Sequence, residues 1–330
     1  MSVLATTHPT LLDISKRMDP NGGISAIIEI LAQQNEIIPD MVWVEGNLPT
    51  GHRTTVRSGL PQATWRKLNY GVQPSKSRTV QVTDSCGMLE AYAEVDKSLA
   101  DLNGNTAAFR LSEDYAFIEG MNQEFASTLF LGNESTEPEA FTGFGPRFND
   151  QAAENGMNII TDAATPDNAD NTSIWLVVWG PNTVHGIYPK GSMAGLQHRD
   201  LGEQTLEDAA GGKFQGYRTH YKWDCGLVVR DWRYVVRIQY DLENVVASGN
   251  SGPVLADLMG KAIRRIPSLS MGRAAFYMNR DSLDALDLQS NNKGTLAIQT
   301  VRGADGEMRT EFRGIPLRRC DAITSTETGI

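Results

Sequence analysis

Along residues 105–130, apolar side chains recur every three or four positions, at Leu111, Tyr115, Ile118, Met121, Phe125 and Leu129, with Glu113, Asp114, Glu119 and Glu124 between them. That spacing matches the turn of an α-helix with one buried stripe. At 1.5 Å per residue, the predicted helix is roughly 35–40 Å long, enough to be the spine of a domain. A shorter pattern through Ile24, Ile27, Ile28, Leu31 and Ile37 predicts an amphipathic helix over 22–37 that Pro39 ends. Elsewhere the period falls to two. Leu89, Ala91, Ala93 and Val95 alternate with Glu90, Tyr92, Glu94 and Asp96, as in a strand with one wet face, and Thr79–Val82 alternates too. Ile174–Trp179 is apolar throughout and predicts a buried strand.

Further strands are expected over Thr219–Asp224 and Gly226–Tyr240 with a turn near Asp231, and over Arg273–Met278. Helices are expected over Pro253–Ile266, stopped by Pro267, and over Ser282–Leu288. Gly303–Gly306 is a hairpin turn, because Asp305-Gly306 favours the twist that joins two strands. The pattern is α+β, with neither a βαβ repeat nor a heptad run.

Apart from Thr79–Val82, residues 46–85 fit none of these periods. Glycine and proline punctuate them at Gly51, Gly59, Pro61, Gly71 and Pro74, as in an outsized hairpin or loop, and loops of that length tend to be functional or disordered. Charge sharpens the picture. Residues 51–83 hold six basic side chains, Arg53, Arg57, Arg66, Lys67, Lys76 and Arg78, and no acid, in a chain of net charge −10. From Asp84 to Glu154 the balance reverses, with fourteen acids against Lys97, Arg110 and Arg147. A basic, turn-rich segment cannot bury its charges cheaply in its own core, whereas an acidic face on a neighbouring copy matches it.

At 330 residues and 36.2 kDa the chain can build a full core, divided into two domains. Its longest strongly apolar run has six residues, far short of a bilayer span, and Met-Ser-Val-Leu-Ala does not open a signal peptide. Cys86, Cys225 and Cys320 form no CxxC pair and are expected as free thiols in a chain made in the cytosol. The acid excess argues against wrapping nucleic acid.

Candidate chemistry is sparse. The histidines at 8, 52, 185, 198 and 220 show no metal-ligand spacing, so structural or surface roles are expected. His220 and Cys225 lack an orienting acid. Gly211-Gly212-Lys213 is not a phosphate loop, since Glu207 stands where its first glycine belongs and Phe214 where its hydroxyl belongs. Trp232 sits among strand-forming valines and is expected to pack. No catalytic residue, cofactor or metal is expected.

Five stretches, taken in order, resemble the major capsid proteins of tailed bacteriophages with the Hong Kong 97-type fold, more closely the short form of several podoviruses. They are Leu48-Pro49-Thr50-Gly51-His52-Arg53-Thr54-Thr55-Val56-Arg57 with Gly59-Leu60-Pro61; Gly71-Val72-Gln73-Pro74-Ser75-Lys76-Ser77; Asn103-Gly104-Asn105-Thr106-Ala107-Ala108-Phe109-Arg110; Phe276-Tyr277-Met278-Asn279-Arg280; and Gly314-Ile315-Pro316-Leu317-Arg318-Arg319-Cys320-Asp321-Ala322-Ile323. The likeness spans roughly residues 20–325, and its weight lies in the ordered set, not in any single motif.

The resemblance implies an N-terminal arm at 1–45, an extended hairpin loop at 46–85, and a peripheral domain at 86–154 with the spine helix 105–130. It implies a mainly axial domain at 155–325, with some strands returning to the peripheral domain, and a tail at 326–330. It implies pentamers and hexamers of an icosahedral shell around double-stranded DNA held without sequence-specific binding. A portal and a separate scaffolding protein are implied partners, a cement or decoration protein is compatible, and a membrane is not expected. The expected location is the virion capsid, after synthesis and assembly in the bacterial host cytoplasm. Lys67, Lys76 and Asn279 are the residues from which a covalent lysine–asparagine lock of the family's best-known member would be built, but no glutamate site is identifiable, and noncovalent closure is expected.

The expected intersubunit contact sets Arg53, Arg57, Arg66, Lys67, Lys76 and Arg78, with Trp65, Leu68 and Tyr70 as apolar grip, against Glu113, Asp114, Glu119 and Glu124 of an adjacent copy's spine helix. Three alternatives stay open at this point: a compartment shell without a DNA genome, a basic-loop nucleic-acid-binding module, and an enzyme with an unrecognised active site.

Overall fold

The computed structural model describes residues 33–102, 106–161, 171–208, 210–247, 254–293, 298–302 and 308–330. In chain order the strands are β1 Trp43–Glu45, β2 Gly51–Gly59, β3 Arg78–Asp96, β4 Ile159–Thr161, β5 Asn171–Trp179, β6 Val184–Tyr188, β7 Gln197–Glu207, β8 Lys213–Val229, β9 Val235–Asp241, β10 Arg273–Met278, β11 Ile298–Arg302, β12 Met308–Phe312 and β13 Ile315–Arg319.

β5 organises the body. All nine of its residues are buried. Its alternation sends Trp175, Val177 and Trp179 into one core and Ile174, Leu176 and Val178 into another. β9 and β10 flank it, both antiparallel, and β13 lies parallel to β10. The second core lies under the helices Leu255–Arg265 and Arg280–Lys293. β6, joined to β5 by a turn at Gly180–Thr183, pairs with β8, and β8 pairs with β3 and β7.

The spine helix, Thr106–Leu131, covers the first core. Its Phe125 stacks on Trp223 with ring centroids 4.4 Å apart, and Phe130 meets Phe144 and Trp175. The inward stripe differs from the expected one in its first half. Met121, Phe125 and Leu129 are buried as expected, but Leu111, Tyr115 and Ile118 are exposed. Phe109 and half-buried Phe117 take the inward positions instead, because Phe117, Met121, Phe125 and Leu129 follow one another at intervals of four on a single helix face.

Other boundaries shift for identifiable reasons. Residues 213–229 form one strand through Gly226, and the chain turns at Trp232–Tyr234, where the Asp231 carboxylate accepts from the Arg233 N–H. Arg280–Lys293 outruns the expected 282–288. Pro39 does not end a helix but sits inside the single turn Ile37–Asp40, where a first-turn N–H has no helical partner to lose. Of the expected helix over 22–37, residues 22–32 lie outside the described residues, whereas 33–36 are not helical, because Asn35 bridges to Cys320 instead. The turn at 303–306 also lies outside the described residues, although β11 and β12 on either side of it pair antiparallel.

Candidate intersubunit surface

β2 and the first part of β3 pair antiparallel, from Gly51↔Ser85 to Gly59↔Arg78. Residues 60–77 between them have no regular structure. A turn at Lys67–Tyr70 places Asn69 in the left-handed region at φ 66°, which asparagine tolerates, and the Ser75 hydroxyl donates to the Gln62 carbonyl across the loop. Arg53, Arg57, Trp65, Arg66, Lys67, Leu68, Tyr70, Lys76 and Arg78 are all exposed. Trp65 is 103% exposed, Leu68 87% and Tyr70 71%, so the chain on its own leaves a large apolar surface wet. Among the described residues, no ion pair involves any of the six bases; Arg53 Nε donates to Thr83 Oγ1 at 3.3 Å.

The four expected acids are not equivalent. Asp114 bonds Tyr221, whose phenol is pushed up first by burial and then by that bond. Glu119 Oε1 accepts from the Gln33 backbone N–H at 2.9 Å and from Gln123 at 2.8 Å. Burial works against ionisation of Glu119, but these bonds and one from Asn122 hold its carboxyl below the ordinary value. Glu113 is also engaged within the chain. Only Glu124 is exposed, and it stands over a groove between the spine helix and β3.

Two adjoining depressions of about 220 and 360 Å³ make up this groove, sharing Leu89 and Glu124. Leu89, Ala91, Phe117, Met121 and Phe125 give it an apolar floor. Exposed Glu137 and Glu139 edge one end. Sequence reasoning missed Glu137 and Glu139 because they lie in the connection after the helix, where only the fold brings them beside Glu124. The other face of β3 is self-satisfied: Glu94 accepts from Arg218 at 2.6 Å, and Glu90 pairs with His220 and Lys222 on β8.

The remaining candidates resolve into structure. His220 stacks on Tyr92, whereas Cys225, five positions along the same strand, points from the opposite face into the core. Burial pushes the Cys225 thiol up, far from a reactive thiolate. Gly211 has φ 82° in the β7–β8 turn, where Asp208 Oδ1 accepts from the Ala210 and Gly212 N–H groups. Trp232 packs half-buried against the first core. Asn279 is buried, donating to Thr172 and Ser325 and accepting from Ser282, so its amide is not presented to a neighbour's lysine. Among the described residues, no three His, Cys, Asp or Glu side chains are grouped to hold a metal ion. No described helix is long and apolar enough to cross a membrane.

Residues 19–330 match the family model for major capsid protein GP7. The chain is similar to a solved structure from bacteriophage Epsilon15 at 37% identity and a TM-score of 0.78, covering 100% of this chain and 99% of that one. It is also similar to the bacteriophage JBD30 capsid, at 9% identity, TM-score 0.49, and 89% and 93% coverage. The SrpI encapsulin of Synechococcus elongatus matches at 11% identity, TM-score 0.44, and 71% and 97% coverage. No curated protein sequence matches. The fold is the α+β Hong Kong 97-type capsid fold, its work is to build a shell from copies of itself, and the chain belongs to the major capsid protein GP7 family.

Proposed function

We propose that this virion shell subunit closes its lattice by laying the tip of its extended hairpin into the acid-edged groove of an adjacent copy. The observation that carries the proposal is complementarity within one sequence. Trp65, Leu68 and Tyr70 are uncovered beside six bases, and an apolar groove edged by Glu124, Glu137 and Glu139 lies on the same molecule. Because Asp114 and Glu119 are engaged inside the chain, the expected target shifts from the acidic side of the spine helix to the groove beside it. Each partly exposed ion pair adds only ~0.2–1 kcal/mol, so the aromatic contacts supply most of the grip. Weak contacts repeated around each subunit let misplaced copies leave early and hold the closed shell late.

On this proposal, residues 46–85 reach out, 86–154 receive, and most of 155–325 meets its copies around the fivefold and sixfold axes of pentamers and hexamers. Double-stranded DNA fills the shell without sequence-specific contact, and the net charge of −10 suits an interior that must not trap it. A portal and a separate scaffolding protein assist assembly in the host cytoplasm.

The test is the double charge reversal Arg57→Glu with Arg66→Glu. Particle yield by electron microscopy should fall, while circular dichroism of the free chain stays unchanged. Normal particle yield would sink the proposed contact. Nanomolar binding of the free chain to DNA that falls steeply with salt would instead favour a basic-loop nucleic-acid module.

A further inference from the structure

The root of the hairpin contains two histidines that the shell function does not account for. His52 stands near the start of β2, directly across from Asp84 on β3. His185 lies on β6, between β1 on one side and β8 on the other, and is 1% exposed. The two rings meet edge to face with centroids 5.8 Å apart. His52 Nδ1 is buried without a hydrogen-bond partner, and neither ring nitrogen of buried His185 makes a well-aligned bond, although the Gly180 backbone is near enough to favour its proton. Packing alone would be better served by apolar side chains, since an unpartnered imidazole is a costly way to fill space.

The place matters as much as the pair. Just here β3 changes partner, from β2 at Ser85 to β8 at Cys86, and the Cys86 N–H donates to the Thr50 carbonyl across the junction. β1, parallel to β6, together with the Gly46–Tyr188 and Lys190–Leu48 backbone bonds, ties the hairpin to the body. We infer that His52 and His185 form an acid-sensitive anchor, which holds the hairpin root to the body while neutral and loosens it when protonated. The inference concerns the hairpin's own attachment and does not depend on where its tip docks.

The charges around the pair support that direction. Arg230, after β8, opposes protonation of both rings, and its guanidinium donates to Pro181 O and Asn182 Oδ1. Asp84 is the one described acid acting on His52. Arg147, from the turn Phe144–Arg147, holds Asp84 Oδ1 at 2.7 Å, while Asp84 Oδ2 is buried without a partner; the pull of this carboxylate on His52 is outweighed by burial and Arg230. Burial, then the charge of Arg230, lowers His52; burial, then His52 and Arg230, outweigh the Gly180 backbone and bring His185 down to about 4. With both folded-state values depressed, the anchor is at full strength above the ordinary imidazole value of about 6.5. It weakens as pH falls below that value, and the loss due to His185 levels off near 4.

Hydrogen exchange of the full-length free chain at pH 7.5 and 5.0, corrected for intrinsic exchange rates, tests this. Amides of residues 51–56 should open roughly thirtyfold more at pH 5.0, the factor by which an exposed imidazole of ordinary value outcompetes the buried ring for a proton. Amides of β5 should not change by that factor. The variant His52→Gln with His185→Gln should lose the pH response. Equal opening at both pH values, or an undiminished response in the variant, would overturn the inference. If the variant does not fold, ring-labelled histidine spectra of the natural chain decide instead. A low-titrating His185 supports the anchor, and two ordinary titrations near 6.5 overturn it.

Discussion

β2 and β5 are both nine residues long and both extended, yet they share almost nothing else. Every residue of β5 is buried, with apolar side chains on alternate faces feeding two cores. In β2 only Gly51 and Thr54 are buried, and beyond it the chain exposes Trp65 completely. The charges divide the same way. Beside β5, Arg237 is locked to Glu327 at 2.7 Å and to Ser173, whereas the bases of the hairpin have no acid partner among the described residues. One strand is complete within a single chain; on the proposed contact, the other is completed by assembly. Burial in β5 therefore serves folding, and under that proposal exposure around β2 serves association.

That contrast can be broken at several points. The largest expected effect on the free chain is Glu327→Ala, which strands the Arg237 guanidinium in the interior and should cost ~3–5 kcal/mol in urea unfolding. A loss below ~1 kcal/mol would show that the tail is a passive cover. Leu176→Ala, within β5, should cost ~2–5 kcal/mol by the same measurement, depending on how far the site collapses. Trp65→Ala should leave free-chain stability within ~0.5 kcal/mol while weakening assembly by ~2 kcal/mol or more, read as a raised critical concentration in light scattering. If the substitution unfolds the free chain, the hairpin belongs with β5 after all. The smallest effect is that of salt. Raising ionic strength from 0.15 to 1 M, which shortens the screening length from about 8 to 3 Å, should slow assembly modestly and leave unfolding of the free chain nearly unchanged.

Much of the body was legible in the sequence because its signals are local and periodic. Ile174–Trp179, Arg273–Met278 and the helix over 105–130 appear within a residue or two of their expected bounds, apart from the three polar residues with which β5 begins. The face of the spine helix was less legible. Leu111, Tyr115 and Ile118 fit an apolar stripe as well as Phe109 and Phe117 do, and only the sheet beneath decides which set turns inward. The basic hairpin stood out by charge and turn residues alone. The acidic groove proposed to receive it did not, since Glu124, Glu137 and Glu139 become neighbours only when the connection folds back beside β3. The histidine pair was hidden for the same reason, His52 and His185 standing 133 positions apart in the sequence.

β3 belongs to both halves of the contrast. Its 19 residues form one uninterrupted strand, with Arg78–Ser85 bonded to β2 and Cys86–Asp96 bonded to β8. At about 3.3 Å per residue it is a rod roughly 60 Å long. A pull on the hairpin tip along that rod reaches the body as shear, borne by a row of cross-strand bonds acting in parallel, whereas a sideways peel would break them one at a time. The subunit is therefore stiff toward tension along its hairpin and compliant toward bending at the hairpin's root.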